Sequence, residues 1–447
     1  MPRLQFATGS HERERGHPPP LRMVNIYPES SPATASRFHL ISRKGQTRAY
    51  EVGAGPVRAS IARDGLFGGA RFTVSGGTVY RNQTSLGTID GDGPVYMANS
   101  DTELLICAGS SLYSYNGTNL AIVDTPWGPD TIAVIHIDGL FIALGGPSGQ
   151  WNFSDVLDGR SWDGLNFANA ESIADPLLDI SEIDGTIVFF GPDSVEFWAK
   201  SGDPEAPYTP IQQRVLKQGI VATGCVVQED NSFFWIGKDY ITYRFDTVPK
   251  AIADDAWVEK ATASDSHRLF LVTSDRHKFI CHRMDTVTLG YDITTGEIVE
   301  FQSYGRDNWR VGPDMGDDED GIVWELSGES DDGGEITRVF TAGSELEAPT
   351  VINRLRLHCE TGSTPYLVAP FNNPPIEMRM SRNVGRTWEE WQSSTLGPQG
   401  DYGRRVEWHG LGMFNFPGMI FQFRITAPVD FRVTTASAND PYGGIDG

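Results

Sequence analysis

Short hydrophobic runs and polar turns alternate along most of the chain with the two-residue period of β-strands. From about residue 63, an apolar strand, a turn and a second strand with alternating aromatic residues recur in six copies and one looser copy. The copies are RFTVSGGTVY, LLICAGSSLYSY, LFIALGGPSGQWNF, TIVFFGPDSVEFW, SFFWIGKDYITYRF and LFLVTSDRHKFICH, then the looser IVWELSGESDDGGEITRVF. Each copy has the pattern of a β-hairpin, so the chain is predicted to be all-β.

The spacing of the hairpin turns gives the length of the repeat. The turns of the first five copies contain Gly76, Gly109, Gly145, Gly191 and Gly237. Their separations of 33, 36, 46 and 46 residues correspond to one four-stranded propeller blade. Residues 31–347 are therefore predicted to form a β-propeller-like domain of six or seven blades. Because the period is not fixed, an irregular β-solenoid and two stacked sandwiches are the alternatives.

The two ends of the chain have different patterns. Residues 348–437 alternate as strands without the hairpin repeat, which predicts a separate C-terminal β-sandwich. Residues 438–447 are predicted to be a flexible tail. Residues 1–30 combine alternating charge with three consecutive prolines, so they are predicted to be an extended N-terminal arm that becomes ordered against a neighbouring surface.

The net charge of the chain and its distribution along the sequence exclude some classes of function. The formal net charge of -23 argues against a surface that wraps DNA through phosphate contacts, because such a surface is basic. Residues 312–347 hold twelve acids and one base. This segment is interpreted as a solvated acidic loop, with a cation site as the weaker alternative because the spacing is not that of a calcium loop.

Candidate chemistry is sparse. GxSxG, GxxxxGK[ST], HExxH and complete GxGxxG motifs are absent from the sequence, so no catalytic residue, metal site or cofactor is predicted. The four cysteines lie far apart and are expected to be buried, reduced thiols of a protein made in a cytoplasm. No apolar stretch approaches the length of a membrane span. We therefore expect a protein that is not an enzyme.

One short stretch points toward sialidases. Residues 381–388, SRNVGRTW, nearly match the Asp-box hairpin SxDxGxTW, with Asn383 at the aspartate position. A sialidase repeats this box on several blades and adds an arginine cluster, whereas this single copy lies outside the repeat. We interpret it as a structural turn formed by Ser381, Asn383, Gly385 and Trp388. The alternatives are a degenerate sialidase-like glycoside hydrolase and a glycan- or receptor-binding protein that uses Trp388 and Trp391.

Several stretches, in order along nearly the whole chain, resemble the packaged-DNA stabilisation proteins, the tail-hub proteins of short-tailed bacteriophages. These stretches are VNIYPE, SDVLDGRSWDGLNFANAESIADPLLDI, DGTIVFFGPDSVEFW, RVLKQGIVATGCV, DSHRLFLV, RVEWHGLG and FQFRITAPVDFRV. The resemblance weakens in the acidic segment and at both termini. It implies a structural protein of the virion tail that is assembled in the host cytoplasm.

The resemblance also implies partners. It implies a homo-hexamer, a hub or nozzle, beneath the portal and its adaptor ring that extends the DNA channel, retains packaged DNA, and anchors tail fibres or spikes and a plug or needle. DNA would pass through the lumen without sequence-specific binding. In that setting the acidic residues that would line the channel are Asp314, Asp317, Asp318, Glu319 and Asp320. The arm residues that would contact a partner are Arg13, Arg15 and Tyr27.

Overall fold

The computed structural model describes residues 3–11, 21–31, 38–145, 149–170, 173, 175–416 and 418–439. Within these ranges nearly every regular element is a β-strand, which confirms the all-β prediction. The first five strands are β1 (Arg3–Phe6), β2 (Met23–Val24), β3 (Ile26–Ser30), β4 (Phe38–Ser42) and β5 (Gln46–Glu51).

The next 24 strands form six antiparallel sheets of four consecutive strands each within the described residues. Sheets 1 to 3 comprise β6 (Val57–Ala62), β7 (Arg71–Ser75), β8 (Thr78–Arg81), β9 (Thr84–Thr88); β10 (Tyr96–Asn99), β11 (Leu104–Ala108), β12 (Ser111–Tyr115), β13 (Leu120–Ile122); and β14 (Thr131–Ile137), β15 (Leu140–Gly145), β16 (Gln150–Phe153), β17 (Phe167–Asn169). Sheets 4 to 6 comprise β18 (Asp179–Ile183), β19 (Thr186–Phe190), β20 (Val195–Asp203), β21 (Ala206–Leu216); β22 (Val226–Glu229), β23 (Ser232–Ile236), β24 (Thr242–Phe245), β25 (Pro249–Ala251); and β26 (Arg268–Ser274), β27 (His277–Arg283), β28 (Thr288–Asp292), β29 (Ile298–Phe301).

The remaining elements are one α-helix, two short 3-10 turns and eight strands, counted over the described ranges. The helix, α1 (Asp255–Thr262), lies between sheets 5 and 6, and the 3-10 turns span Leu66–Gly68 and Pro313–Met315. The last strands are β30 (Ile322–Leu326), β31 (Arg338–Glu345), β32 (Thr350–Cys359), β33 (Pro375–Ser381), β34 (Gln392–Thr395), β35 (Val406–Phe414), β36 (Gly418–Ile425) and β37 (Arg432–Ala438).

The six four-stranded sheets are arranged as a ring. Their first strands contact one another in chain order, from β6 through β10, β14, β18 and β22 to β26. The 3-10 turn Pro313–Met315 contacts both β26 and β6, so the two ends of the series meet. This arrangement confirms a β-propeller-like domain and excludes a solenoid, whose ends stay apart.

The propeller sheets are apolar on both faces because each one packs between two neighbours. All residues of β11, β15 and β23 are buried. Between sheets 4 and 5, for example, the ring of Phe233 lies 5.3 Å from that of Phe190 and 6.0 Å from that of Phe197. Burial on both sides explains why the second strand of these sheets, which is the first strand of the repeat, is a continuous hydrophobic run.

The predicted hairpins exist in the first six repeats, but the sixth has a different place in its sheet. In sheets 1 to 5 the hairpin joins the second and third strands, whereas LFLVTSDRHKFICH joins β26 and β27, the first and second strands of sheet 6. The predicted seventh hairpin is wrong, since β30 pairs with β5 and β31 belongs to the sandwich. Local alternation shows that a segment is a strand but does not specify its partner.

Strands β5 and β30 form a two-stranded sheet that closes the propeller. Strand β5 precedes sheet 1 and β30 follows sheet 6, so this sheet joins the two ends of the propeller sequence. Its link to sheet 1 includes a hydrogen bond of 2.9 Å from the Val57 amide to the Asp317 carbonyl. The acidic segment therefore lies at the closure of the ring.

A β-sandwich follows the propeller in sequence. Sandwich sheet A has the order β35, β32, β37, β4, β3, and sandwich sheet B has the order β34, β33, β36, β31, β2. Strand β1 joins the two sheets, because Leu4 pairs with Ala436 of β37 and Phe6 pairs with Ala342 of β31. Their inner faces share one hydrophobic core. The sandwich thus includes β31, ahead of the predicted boundary at residue 348.

The structure corrects the prediction of an N-terminal arm for its described part. Leu4, Phe6, Met23 and Ile26 belong to the sandwich core, so the surface that orders this segment is the chain's own sandwich. Proline and charge content concealed these short strands; β1 and β2 pair with strands more than 270 residues away, and β3 pairs with β4. At the other end, Ala438 completes β37, and the Asn439 amide donates to the Arg354 carbonyl at 2.8 Å. The rest of the predicted tail, residues 440–447, lies outside the described residues.

Strand β2 connects the propeller to the sandwich. Val24 pairs in parallel with Glu300 of β29 and antiparallel with Val339 of β31. Sheet 6 and sandwich sheet B are therefore parts of one continuous hydrogen-bonded sheet. The side chain of Arg22, next to β2, also pairs with Glu300 at 2.6 Å. The two domains are joined by backbone hydrogen bonds as well as by the linking chain.

Candidate functional site

The acidic segment is the first candidate, and Asp314 lies at its start. Asp314 sits in the 3-10 turn that closes the ring, and its Oδ2 accepts a hydrogen bond of 2.9 Å from the Ser60 amide. The carboxylate stays accessible to solvent although protein surrounds it on most sides. This crowding raises the pKa of Asp314, while the Ser60 amide and the nearby Arg268, Arg71 and Arg63 act in the opposite direction.

Asp317 does not lie on a surface, which corrects its predicted place in a channel lining. Its side chain is fully buried and accepts hydrogen bonds from Trp324 Nε1 at 2.9 Å and from Arg310 at 2.9 Å. The backbone amides of Glu319 and Asp320 donate to the same carboxylate. Burial alone would raise the pKa of Asp317, but Arg310 and these amides hold it below its ordinary value. Asp317 organises the turn from inside.

The three acids that follow Asp317 are held by three arginines, of which Arg283 makes the longest contact, 3.7 Å to Asp318. Arg306 contacts Asp318 at 2.6 Å and Glu319 at 3.0 Å, and Arg310 contacts Asp320 at 2.6 Å. The side chain of Asp318 is only 18% exposed, whereas Glu319 and Asp320 are 65% and 55% exposed. Together with Asp314, these last two are the carboxylates of the predicted lining that reach solvent.

Several acids in the rest of the segment are also paired, which corrects the interpretation of 312–347 as a solvated loop for those residues. Asp331 binds the buried Arg43, and Glu329 binds Lys44 and the buried Arg338. Two strands, β30 and β31, run through the segment. The motif RDNWR, with arginines at 306 and 310, was a local signal for part of this pairing. Arg43 lies 288 residues before its partner, so no local pattern could reveal it.

The predicted partner-binding arm is only partly within the described residues. Tyr27 is completely buried, and its ring lies 4.8 Å from His277 and 5.0 Å from Phe279 of sheet 6. It is therefore a packing residue between the propeller and the N-terminal strands rather than a contact for another protein. Arg13 and Arg15 lie outside the described residues.

The Asp-box-like stretch forms a tight turn between β33 and β34 in the sandwich. The Gly385 amide donates to Ser381 Oγ at 2.8 Å, and the Thr387 amide donates to Asn383 Oδ1 at 2.8 Å. Gly385 has a φ of 86°, a left-handed conformation that glycine adopts without strain. Asn383 thus accepts the backbone hydrogen bond that an aspartate would accept at this position.

Arginines cover the two tryptophans beside this turn. The guanidinium of Arg379 lies 4.8 Å from the ring centre of Trp388 and 4.7 Å from that of Trp391. Arg424 lies 4.3 Å from the Trp391 ring and pairs with Glu377 at 2.6 Å. These cation–π contacts occupy ring surface that a bound sugar would stack on. Trp391 in particular has two arginines against it.

Two general findings concern the described ranges only. The longest helix there is α1, with eight residues, so no helix has the length and apolar character that crossing a membrane requires. Over the same residues, no three or more His, Cys, Asp and Glu side chains are grouped in a way that could hold a metal ion.

The fold therefore defines a two-domain protein in which strand β2 joins a β-propeller-like domain to a β-sandwich. The family model described as Bacteriophage P22 Gp10, beta-propeller, matches residues 4–242, and the one described as Bacteriophage P22 Gp10, beta-sandwich, matches residues 337–440. The chain belongs to this Gp10 family, as the resemblance indicated. It is a structural protein of a bacteriophage tail.

The solved structures that are similar to this chain are distant. The β-propeller domain of Cps50 (Swd1) from Myceliophteria thermophila is 9% identical, with a TM-score of 0.38 over 57% of this chain and 88% of that chain. PorZ of the type-IX secretion system of Porphyromonas gingivalis is 14% identical, with a TM-score of 0.37 over 66% of this chain and 36% of that chain. An exo-beta-1,3-galactanase from Phanerochaete chrysosporium is 9% identical, with a TM-score of 0.33 over 79% and 96%. No curated protein matches the sequence.

Proposed function

We propose that this chain is the hub, or nozzle, of a short tail, in which six copies form a ring beneath the portal and its adaptor. The hub extends the DNA channel, retains packaged DNA, and anchors tail fibres or spikes and a plug or needle. The ring is assembled in the host cytoplasm. The observation that carries this proposal is that family models for both domains match this chain in the expected order.

The charge of the protein supports a role as a conduit. With a net charge of -23, most of the surface repels DNA phosphates, so DNA slides past without contacts that ejection must break. Asp314, Glu319 and Asp320 are the solvent-accessible carboxylates at the ring closure that would contribute to such a wall. Asp317 and Asp318 contribute less because they are buried or neutralised by arginines.

The proposal assigns no catalysis to the chain. The adjacent acids Glu389 and Glu390 are the carboxylates nearest to the Asp-box-like turn in sequence, and Glu389 is already paired with Arg382 at 2.5 Å. A glycosidase instead needs two facing carboxyl groups with distinct protonation states. The arginines over Trp388 and Trp391 also argue against a glycan-binding platform at this place.

The experiment that tests the proposal is a measurement of mass. The purified protein is examined by native mass spectrometry and sedimentation, alone and with the cognate portal and adaptor complex. The hub function predicts six copies on that complex. A monomer or trimer that ignores the complex would contradict it, and release of reducing sugar or saturable glycan binding would support the glycosidase or receptor alternatives instead.

A further inference from the structure

The outer side of sandwich sheet A carries a cluster of arginines in an otherwise acidic protein. Along β32 the core-facing side chains include Ile352, Leu355 and Leu357, and the positions between them point outward. We call the following group the arginine face: Arg354 and Arg356 of β32, Arg404 and Arg405 just before β35, and Arg432 of β37. Four of the five surround a cleft of about 530 Å³ that His358 and Tyr402 also line.

Part of the charge on this face is not neutralised locally, although Glu360 also lines the cleft. Arg356 forms a close pair with Glu407, with Nε 2.6 Å from Oε1. The contacts of Arg404 with Asp401 and of Arg432 with Asp430 are long, at 3.6 and 3.9 Å. Arg354 and Arg405 make no ion pair in the part of the chain that the structure describes. The ring closure has the opposite balance, since Arg306 and Arg310 are each shared by two carboxylates there.

Exposure makes these groups available for contact. The side chains of Arg432 and Arg404 are 55% and 38% exposed, and Arg405 is exposed. Guanidinium groups bind carboxylates with two parallel hydrogen bonds, and such pairs are strong when water is excluded from them. A surface with several incompletely paired arginines is therefore suited to a partner that presents carboxylates.

We propose that the arginine face docks against a carboxylate-bearing surface of the neighbouring copy in the ring. This inference rests on the hexameric assembly of the proposed function and names the chemistry of its subunit contact. Neighbouring copies in a cyclic ring of six contact each other through two different faces rather than through one shared face. The contact is therefore heterologous, with the basic face of one copy meeting a different, acidic face of the next copy. A chain with a charge of -23 has carboxylates to offer on its other surfaces.

The test reverses charge at two exposed positions of the face. The double substitution Arg405→Glu and Arg432→Glu is compared with Lys217→Glu and Arg386→Glu, which change the net charge equally. Lys217 and Arg386 are exposed and make no ion pair among the described residues. We expect the first variant to need at least a roughly tenfold higher concentration to assemble, whereas the control assembles like the wild type, because like charges then meet at the contact. Assembly of the wild type should also weaken between roughly 50 and 500 mM salt.

A mixing experiment separates this contact from a loss of folding. The variant with Arg405→Glu and Arg432→Glu keeps its acidic surface and can still bind the arginine face of a wild-type copy. An excess of this variant should therefore block further addition of wild-type copies and reduce ring formation. A milder variant, Arg405→Gln with Arg432→Gln, should shift assembly in the same direction by a smaller factor. Both variants should unfold at the same temperature as the control, since the substituted side chains are exposed.

The outcomes are distinct. If the charge-reversed variant forms rings as well as the control does, the inference is wrong while the hub function stands. Loss of duplex-DNA binding with unchanged ring assembly would also overturn it, because the face would then be a phosphate site. A wild type that never assembles, even on the portal and adaptor complex, would instead contradict the proposed function itself.

Discussion

Arg43 and Asp331, separated by 288 residues, form a buried bidentate ion pair with N–O distances of 2.8 and 2.6 Å. The guanidinium also donates to Asn25 Oδ1 and to the carbonyls of Gln302 and Lys44. One side chain thus joins the segment before β5, the end of sheet 6 and the loop before the sandwich. Because its hydrogen-bond donors are occupied, the pair can be buried without a large loss of stability.

We expect Arg43→Ala to lower the free energy of unfolding by about 3–5 kcal/mol, because Asp331 would stay buried without its partner. Urea unfolding followed by tryptophan fluorescence measures the change. The matched control is Arg48→Ala, whose side chain is about half exposed and pairs with Asp332 and Glu51 on the surface. The control should lose much less stability. If both substitutions lowered the free energy of unfolding equally, the buried pair would contribute no more to stability than the exposed one.

Asp317→Asn should destabilise the ring closure at neutral pH. The folded-state pKa of Asp317 lies below its ordinary value near 4, so the carboxylate stabilises the fold above that value and the contribution is lost as pH falls through the folded pKa. We expect a loss of about 2–3 kcal/mol at pH 7, from hydrogen bonds to a charged group, and a smaller difference in acid. Asp320→Asn, at an exposed partner of the same Arg310, is the control. If the difference in free energy of unfolding between the wild type and Asp317→Asn grew as the pH fell, the predicted pH dependence would be wrong.

Phe6→Ala tests whether β1 is part of the sandwich. Phe6 is 8% exposed, and its ring lies 5.7 Å from that of Phe340. Removing a buried phenylalanine ring costs about 3–5 kcal/mol, so the midpoint of thermal or urea unfolding should fall clearly. The neighbouring Gln5→Ala, at an exposed position of the same strand, should change it little. A protein in which residues 3–6 were a free arm would tolerate both substitutions equally.

His282 gives stability a defined dependence on pH. Trp257 Nε1 donates to His282 Nδ1 at 2.8 Å, so the His282 proton is on Nε2, 3.0 Å from His267 Nδ1. Burial, followed by the charge of His267, lowers the pKa of His282 to about 3. Between about pH 6.5 and pH 3 the unfolded histidine takes up a proton that the folded one does not. The contribution of neutral His282 to the free energy of unfolding is therefore fully present above pH 6.5. Below that pH it falls by up to about 1.4 kcal/mol per pH unit.

The measurement for His282 compares urea unfolding from pH 7 to pH 4 in the wild type and in His282→Gln. We expect the substituted protein to be less stable at pH 7 and to lose less on acidification. His409→Gln, with a side chain that is 65% exposed, should keep the slope of the wild type. If His282→Gln keeps that slope too, another group is responsible for it.

The sequence predicted the parts of the fold that depend on residues close together along the chain. Alternation over five to ten residues identified both strands of each hairpin, for example β19 and β20 with Gly191 between them. The propeller-like domain and the sandwich followed from the spacing of such units. For LFLVTSDRHKFICH the same alternation did not show that its strands are the first two of their sheet. Strand order depends on packing across sheets, which alternation does not record.

Residues that act across long separations could not be predicted. The tyrosine of VNIYPE looked like part of an arm because its partners, His277 and Phe279, lie about 250 residues later. The acidic run looked solvated because Arg43 and Lys44, which neutralise part of it, lie far away in sequence. A charge run shows the local balance of charge, whereas the structure determines which groups are paired.

The pairing of Leu4 with Ala436 has a consequence for the order of synthesis. A ribosome adds roughly 5–20 residues per second, so the 432 residues that follow Leu4 up to and including Ala436 take roughly 20–90 s to make. During that time Leu4 and Phe6 have no sandwich to enter, while the six propeller sheets can form in turn behind them. The earliest hydrophobic segment of the chain is thus among the last to be buried, and the nascent protein carries an exposed apolar strand for most of its translation.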